Sequence, residues 1–238
     1  MTLPSLCVTG LRKRYGRKEV LRGLDLEAFP GTVTAILGAN GCGKTTFMRC
    51  LLGLHVPDAG SLQVMGEDAC TGTTYRRHIG YMPQSPGFPE NLTVHEITRL
   101  VERVRGKPAD FTPSRQFGID AFFDQKWKTL SGGMKQKVNA ALALAFDAGV
   151  LVLDEPMASL DPASRILLMK ALRVEKAKGK AILLTTHRLD DLWEISDHLV
   201  FLQNGRANHV PAPDIPGMGS NLALFEQHVA SHLEGVAP

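Results

Sequence analysis

The run Gly38-Ala39-Asn40-Gly41-Cys42-Gly43-Lys44-Thr45 is a complete G-x-x-x-x-G-K-[ST] pattern. Its chemistry follows from its residue types. The three glycines let the backbone turn tightly, so that successive N–H groups converge on phosphate oxygens. A helix starting near Lys44 would add unsatisfied N–H groups and a positive dipole end. Lys44 would then act as a point charge for β- and γ-phosphates, and Thr45 would offer a hydroxyl to Mg²⁺. The flanks agree with this reading. Thr32–Leu37 is a β-rich run leaving a Pro30-Gly31 turn, and Thr45–Leu54 has no glycine before Gly53 and reads as a helix. The rival, a chance glycine turn beside a surface lysine, does not account for both flanks.

A magnesium nucleotide site also needs a carboxylate at the end of a neighbouring buried strand. Val150-Leu151-Val152-Leu153-Asp154-Glu155 supplies it, with consecutive apolar residues that suit a parallel strand covered on both faces. Open α/β sheets bind ligands at that carboxyl edge. Asp154 would hold Mg²⁺ through water, and Glu155 would orient the attacking water. Taken alone, two acids after a strand could equally be a solvated turn. A third strand, Ala181–Thr186, ends at His187, which could sense a γ-phosphate or be a partly buried neutral residue. Further along, Leu130-Ser131-Gly132-Gly133-Met134 places an N-cap serine and two glycines at a helix start, a second anion-binding end in the same chain.

Taken in order, these motifs resemble the nucleotide-binding subunit of an ABC transporter, and they span residues 15–187. Lys44 falls in the Walker A motif, Gln84 in the Q-loop and Leu130–Gln136 in the signature motif. Asp154 closes Walker B, Ser159-Leu160-Asp161 matches the D-loop and His187 the switch histidine. The resemblance implies an α/β fold: a P-loop NTPase core of ABC ATPase type, with an N-terminal antiparallel β subdomain and an inserted α-helical subdomain. It implies ATP and Mg²⁺ as cofactors, with catalysis by Glu155, His187 and Lys44. Nucleotide would be held by Tyr15, Gly38, Asn40, Gly41, Cys42, Gly43, Lys44, Thr45, Thr46 and Gln84, and by Ser131, Gly132, Gly133 and Asp161 across a head-to-tail homodimer. Thr45, Gln84 and Asp154 would face the metal, and Tyr15 would stack on adenine. The segment around 85–96 would meet an integral membrane permease at the cytoplasmic face of the cell membrane. No direct nucleic-acid partner is expected. The alternative is a soluble ABC-type ATPase acting on nucleic acid or ribosomes, although such proteins usually resemble two tandem cores. Residues 79–94 are similar to exporter-type ATPases, in particular the subunit linked to nitrous-oxide-reductase copper-site maturation. The dispersed Cys, His and Met residues are not read as a copper site.

The chain departs from the family pattern at two positions. Met134 stands where glutamine is commonest after the signature glycines; serine and backbone face phosphate there, so no loss of activity is expected. Cys42 lies inside the P-loop, where a small side chain is tolerated and a positive field could acidify its thiol.

Composition limits the remaining options. With 238 residues, 44% of them hydrophobic, the chain can bury one full core and is not disordered. The apolar run Ala140–Phe146 is far short of the ~18 residues a membrane span needs. Met1–Ser5 has neither a basic stretch nor an apolar run, so a cytoplasmic protein is expected. A net charge of +3 gives no argument for nucleic acid, and the clusters at 12–14 and 135–137 read as solvated faces. Cysteines 7, 42, 50 and 70 lack metal-knuckle spacing and suggest free thiols.

The elements needed to position these residues can be read from pattern. Strands are expected at Leu6–Tyr15, Val20–Phe29, Leu62–Met65, Ile79–Met82 and His198–Leu202. Residues 85 to about 130 form the helical insertion, opened by the capping box Thr93–Glu96 and its stripe Ile97, Leu100, Val101 and Val104. Phe88, on the approach to it, faces either a partner or its own domain. Pro162 starts a long helix through Lys176, and Leu189–Ile195 makes a short one. Residues 1–210 form the ATPase domain, and 211–238 a linker and short terminal helix. In that helix Leu222, Phe225, Val229 and Leu233 align, while His228 and His232 lie on a solvated face with no further ligand at hand.

Overall fold

A computed structural model describes residues 2–186, 189–218 and 220–234. Strands β1 (Leu6–Tyr15) and β2 (Lys18–Ala28) form an antiparallel hairpin. The chain then enters the core through β3 (Val33–Leu37) and helix α1 (Lys44–Leu51). It returns for β4 (Ala59–Val64) and the short β5 (Glu67–Asp68), which complete a four-stranded sheet in the order β2-β1-β4-β5. Strand β6 (Ile79–Met82) leads into the insertion, whose main helix is α2 (Val94–Arg105). Three short 3₁₀ turns connect it to α3 (Gly132–Leu144). Then follow β7 (Val150–Asp154), α4 (Pro162–Ala177), β8 (Ala181–Thr185), α5 (Leu189–Trp193), β9 (His198–Gln203), β10 (Arg206–Pro211) and α6 (Leu222–Glu234). The second sheet runs β10-β9-β3-β8-β7-β6, parallel from β9 to β6, with β10 antiparallel at its edge.

Periodicity explains how the two sheets share one molecule. Along β3, β7 and β8 successive apolar residues point to opposite faces. Val33, Ala35, Leu37, Leu151, Leu153, Ile182 and Leu184 join the cluster beneath α2, α3, α4 and α6. Ile36, Val150, Val152, Ala181 and Leu183 join the other, with the apolar face of α1 and the inward residues of the antiparallel sheet, among them Leu24, Leu26 and Ala28. Each such fully buried Leu, Ile or Val contributes about 1.5–3 kcal/mol of transfer free energy.

Helix ends are set locally. The Thr93 hydroxyl accepts from the Glu96 N–H at 3.1 Å, and Glu96 accepts from the Thr93 N–H at 2.8 Å, so the expected capping box is formed. Gly106, in the left-handed region, closes α2. Helix α4 is capped by Asp161 and has Pro162 in its first turn.

The fold bears on four surface readings. Residues 135–137 are not simply a solvated face: Gln136 is buried, and Lys135 sits 5.6 Å from the Trp127 ring centre. Phe88 turns inward onto Trp127, with ring centres 5.1 Å apart. The stretch after Pro211 has a linker's composition, yet Ala212 and Ile215 are buried and the Ala212 N–H bonds the Asp197 carbonyl at 2.8 Å. The prolines there shape turns, and the apolar residues between them hold the segment on the core. His232 stacks on Phe201 with centres 4.6 Å apart, so its side of α6 is half-buried instead of solvated.

Candidate nucleotide site

The parallel register brings the carboxyl ends of four strands together. Met82 lies opposite Leu153, Asp154 opposite Thr185, and Ile36 opposite Thr185 on its other side. Every loop leaving these strands therefore opens on the same edge, where open α/β sheets bind ligands.

Residues 38–43 wrap that edge. Gly43 has φ 119°, a conformation that favours glycine, and a Cβ there would sit tightly, 3.0 Å from the Leu21 side chain. Gly43 is also the N-cap of α1, which has no side-chain cap bond and no acid in its first turn. The positive end of α1 is thus left for an anion. The Lys44 ammonium donates to the Gly38 carbonyl and, at 3.3 Å, to the Ala39 carbonyl, and lies 3.9 Å from Cys42 Sγ. The cation is therefore held over the loop it serves. The Cys42 side chain packs down onto the core, leaving its backbone in the loop.

Across the edge, Asp154 Oδ1 accepts from the Thr185 hydroxyl at 2.5 Å. The Glu155 N–H donates to the Thr185 carbonyl at 3.1 Å and to its hydroxyl at 3.2 Å. Glu155 adopts φ 49°, unusual for a non-glycine residue, and Thr185 braces that backbone from the neighbouring strand. The Tyr81 phenol is pushed upward by burial, with the Asp154 charge adding to it.

Tyr15, Gly38, Asn40, Gly41, Gly43, Lys44, Thr45, Thr46, Gln84, Asp154 and Glu155 line one cleft of about 820 Å³, together with Lys18 and Val20. The donor set suits a magnesium polyphosphate: backbone N–H groups and Lys44 for phosphate, and hydroxyl, amide and carboxylate oxygens for a hard cation. Tyr15 stands at the rim as the last residue of β1, and its hydroxyl bonds His55 Nδ1. Sequence reading missed Thr185 and His55. Thr185 left a partial signal, a hydroxyl at the end of a core strand, but its pairing with Asp154 depends on sheet order. His55 gave no such signal, because a turn forty residues away brings it to Tyr15.

Ser131, Gly132, Gly133 and Asp161 lie outside this cleft and beside each other. Ser131 caps α3 by accepting from the Met134 N–H at 3.2 Å, and Ser131 and Gly132 are exposed. A Cβ on Gly133 would lie 3.5 Å from the Ser159 carbonyl oxygen. Asp161 accepts from the Ser164 hydroxyl and N–H at 2.6 and 2.9 Å, which holds its carboxyl below the ordinary aspartate range, and Lys137 lies 3.8 Å away. Met134 packs against the main core, which explains an apolar residue at that position. His187 falls outside the described residues.

Comparison with known proteins identifies the family. A family model described as ABC transporter matches residues 21–158, more than half of the chain. The Nod factor export ATP-binding protein I of Ralstonia nicotianae is 40% identical over 211 residues, which cover 85% of this chain and 65% of that protein. The protein of the same name from Rhizobium sp. strain N33 is 36% identical over 236 residues, 96% of this chain and 75% of its own. This chain thus spans about two thirds to three quarters of these two relatives' lengths. A solved ATP-binding subunit of an ABC transporter superposes with a TM-score of 0.86 at 31% identity, over 94% of this chain and 99% of that one. The chain belongs to the ABC transporter family, as an ATP-binding subunit of its ATPases.

Proposed function

We propose that this chain hydrolyses MgATP in the Lys44–Asp154 cleft and uses the cycle to drive a membrane permease. One observation carries the reading: phosphate-binding and carboxylate residues converge on a single cleft, while the capped Ser131 end faces solvent elsewhere. A second copy, placed head to tail, supplies that end to the nucleotide, and twofold symmetry makes two such sites. Bound magnesium neutralises phosphate charge. Lys44 and the N–H groups of the loop orient the phosphates, Asp154 and Thr45 hold the metal's water shell, and Glu155 directs the attacking water. His187 is assigned to the γ-phosphate by its motif. ATP performs work through its greater affinity for the closed dimer.

The permease contact is assigned to the segment around 85–96, and the chain is placed peripherally on the cytoplasmic face. Among the described residues no helix is long and apolar enough to cross a membrane. The two Nod factor relatives are named as export ATP-binding proteins, which favours export as the direction. The narrower likeness to copper-site maturation rests on residues 79–94, and cargo is chosen by the permease.

The test is Glu155→Gln. Size-exclusion chromatography with light scattering should show an ATP-dependent dimer, and turnover should fall by at least about a hundredfold. Turnover near wild type, or a monomer at saturating ATP, would remove the assignment. Co-purification from membranes identifies the permease.

A further inference from the structure

Helix α3 carries a buried polar pair, Gln136 at the end of the signature motif and Asn139 one turn beyond it. Asn139 and Gln136 are both buried, and Asn139 Nδ2 donates to the Pro83 carbonyl at 2.7 Å. The same amide nitrogen lies 3.3 Å from Gln136 Oε1, so the glutamine orients it. Gln136 Nε2 itself is buried with no hydrogen-bond partner. An orphaned amide donor is costly, and an apolar pair of similar shape would fill this space more favourably. The polar pair therefore has a purpose other than packing.

Its position identifies that purpose. Pro83 immediately precedes Gln84, which lines the nucleotide cleft, and follows β6, whose last residue Met82 pairs with Leu153 beside Asp154. Asn139 lies eight residues after Ser131 on the same helix, a rise of about 12 Å. Helix and strand also meet backbone to backbone: a Cβ on Gly80 would collide with the Ala143 carbonyl. The exposed end of α3 and the loop bearing Gln84 are thus joined by a short, buried connection in which a side-chain hydrogen bond from Asn139 reaches the loop.

We propose that Asn139 is a positioning residue that fixes the Pro83–Gln84 peptide at the magnesium side of the cleft and ties that placement to the Ser131 helix. The proposal deepens the reading of the cleft given above and rests on it for the role of Gln84. A displacement of α3 when Ser131 engages nucleotide on a second copy is then felt at Gln84 through the Asn139 bond.

The experiment compares Asn139→Leu, which keeps volume and removes the donor, and Asn139→Ala with Gln84→Ala. Thermal unfolding checks that each folds, and the alanine variant carries the test if leucine overpacks. Hydrogen–deuterium exchange of residues 83–86 in the nucleotide-free protein should become several-fold faster in the Asn139 variants. The Mg²⁺ concentration for half-maximal ATPase should rise about fivefold while KM for ATP changes little. Adding Gln84→Ala to Asn139→Leu should then cost little more. If Gln84→Ala raises the Mg²⁺ requirement and the Asn139 variants alter neither exchange nor requirement, the proposal is wrong and the cleft reading stands. If Gln84→Ala leaves the requirement unchanged, the metal role of Gln84 fails, and exchange alone decides whether Asn139 holds the loop.

Discussion

The hydroxyl of Thr185 donates to Asp154 at 2.5 Å and lies 3.2 Å from the backbone N–H of Glu155. One side chain on β8 therefore supports the carboxylate of Asp154 and the backbone of Glu155 at the end of β7. Thr185→Val keeps the β-branched shape and removes the hydroxyl. It should fold with near-native stability, yet lower ATPase activity or magnesium affinity by roughly ten- to a hundredfold if Asp154 faces the metal as proposed, since it would lose its support. Steady-state rates across a Mg²⁺ series measure this. A valine variant with wild-type rates and Mg²⁺ dependence would show that Asp154 is held by other contacts.

At the opposite rim, Tyr15 is oriented by His55, with ring centres 5.5 Å apart at 67° and a bond between hydroxyl and imidazole. Lys13 adds a cation 5.8 Å from the tyrosine ring. An adenine stacked on this ring would gain about 0.5–1.5 kcal/mol. Tyr15→Ala should thus raise KM for ATP about two- to tenfold with little change in kcat. Tyr15→Phe, which retains the ring but frees it from His55, should fall between. Titration with a fluorescent ATP analogue checks the order, and equal affinities for all three proteins would leave the rim without a role in base binding.

How much of this was legible in the sequence depended on distance along the chain. Gly38–Thr45, the Thr93–Glu96 cap and the Ser131 cap are local: each is a few residues whose hydrogen bonds close among themselves. Alternation along β2 and continuity along β7 also follow from strand geometry alone. The contacts of His55 with Tyr15, Thr185 with Asp154 and Asn139 with Pro83 join residues 40, 31 and 56 positions apart. No spacing rule covers such pairs, because sheet order and helix docking create them. The tail after Pro211 follows the same logic: proline and glycine describe its turns, whereas the burial of Ala212 and Ile215 depends on what the core presents to it.

A pH response outside the site follows from Glu67. His78 lies 3.0 Å away and Arg77 bonds the same oxygen; hydrogen bonds from His78 and Thr74, then from Arg77, hold the Glu67 carboxyl down to about 2. A depressed carboxylate stabilises the fold above its unfolded value, near 4.5, and that contribution is lost as pH falls toward 2. Glu67→Gln should therefore be less stable than wild type at pH 6, with the difference shrinking below about pH 4.5. Urea midpoints at pH 6, 5, 4 and 3 test the sign. A difference that stays constant or grows on acidification would mean that Glu67 does not act through its charge.

The terminal helix gives the last prediction. Phe225 and Val229 are both fully buried, and Phe225 meets Trp193 edge to face, with centres 5.6 Å apart. Both belong to the same apolar cluster as Leu199 and Phe201 of β9, the strand bordering β3. Loss of that cover would expose the core next to the strand that launches the P-loop. Phe225→Ala removes a whole aromatic ring from a packed site and should cost about 3–5 kcal/mol. At this chain length that lowers Tm by roughly 6–20 °C. Nucleotide affinity at low temperature should be nearly unchanged, because among the described residues none from α6 lines the cleft. Calorimetry paired with nucleotide binding separates the two effects. A Tm within a degree or two of wild type would mean that α6 contributes little to the core, whereas weakened binding in a folded variant would connect the tail to the nucleotide site.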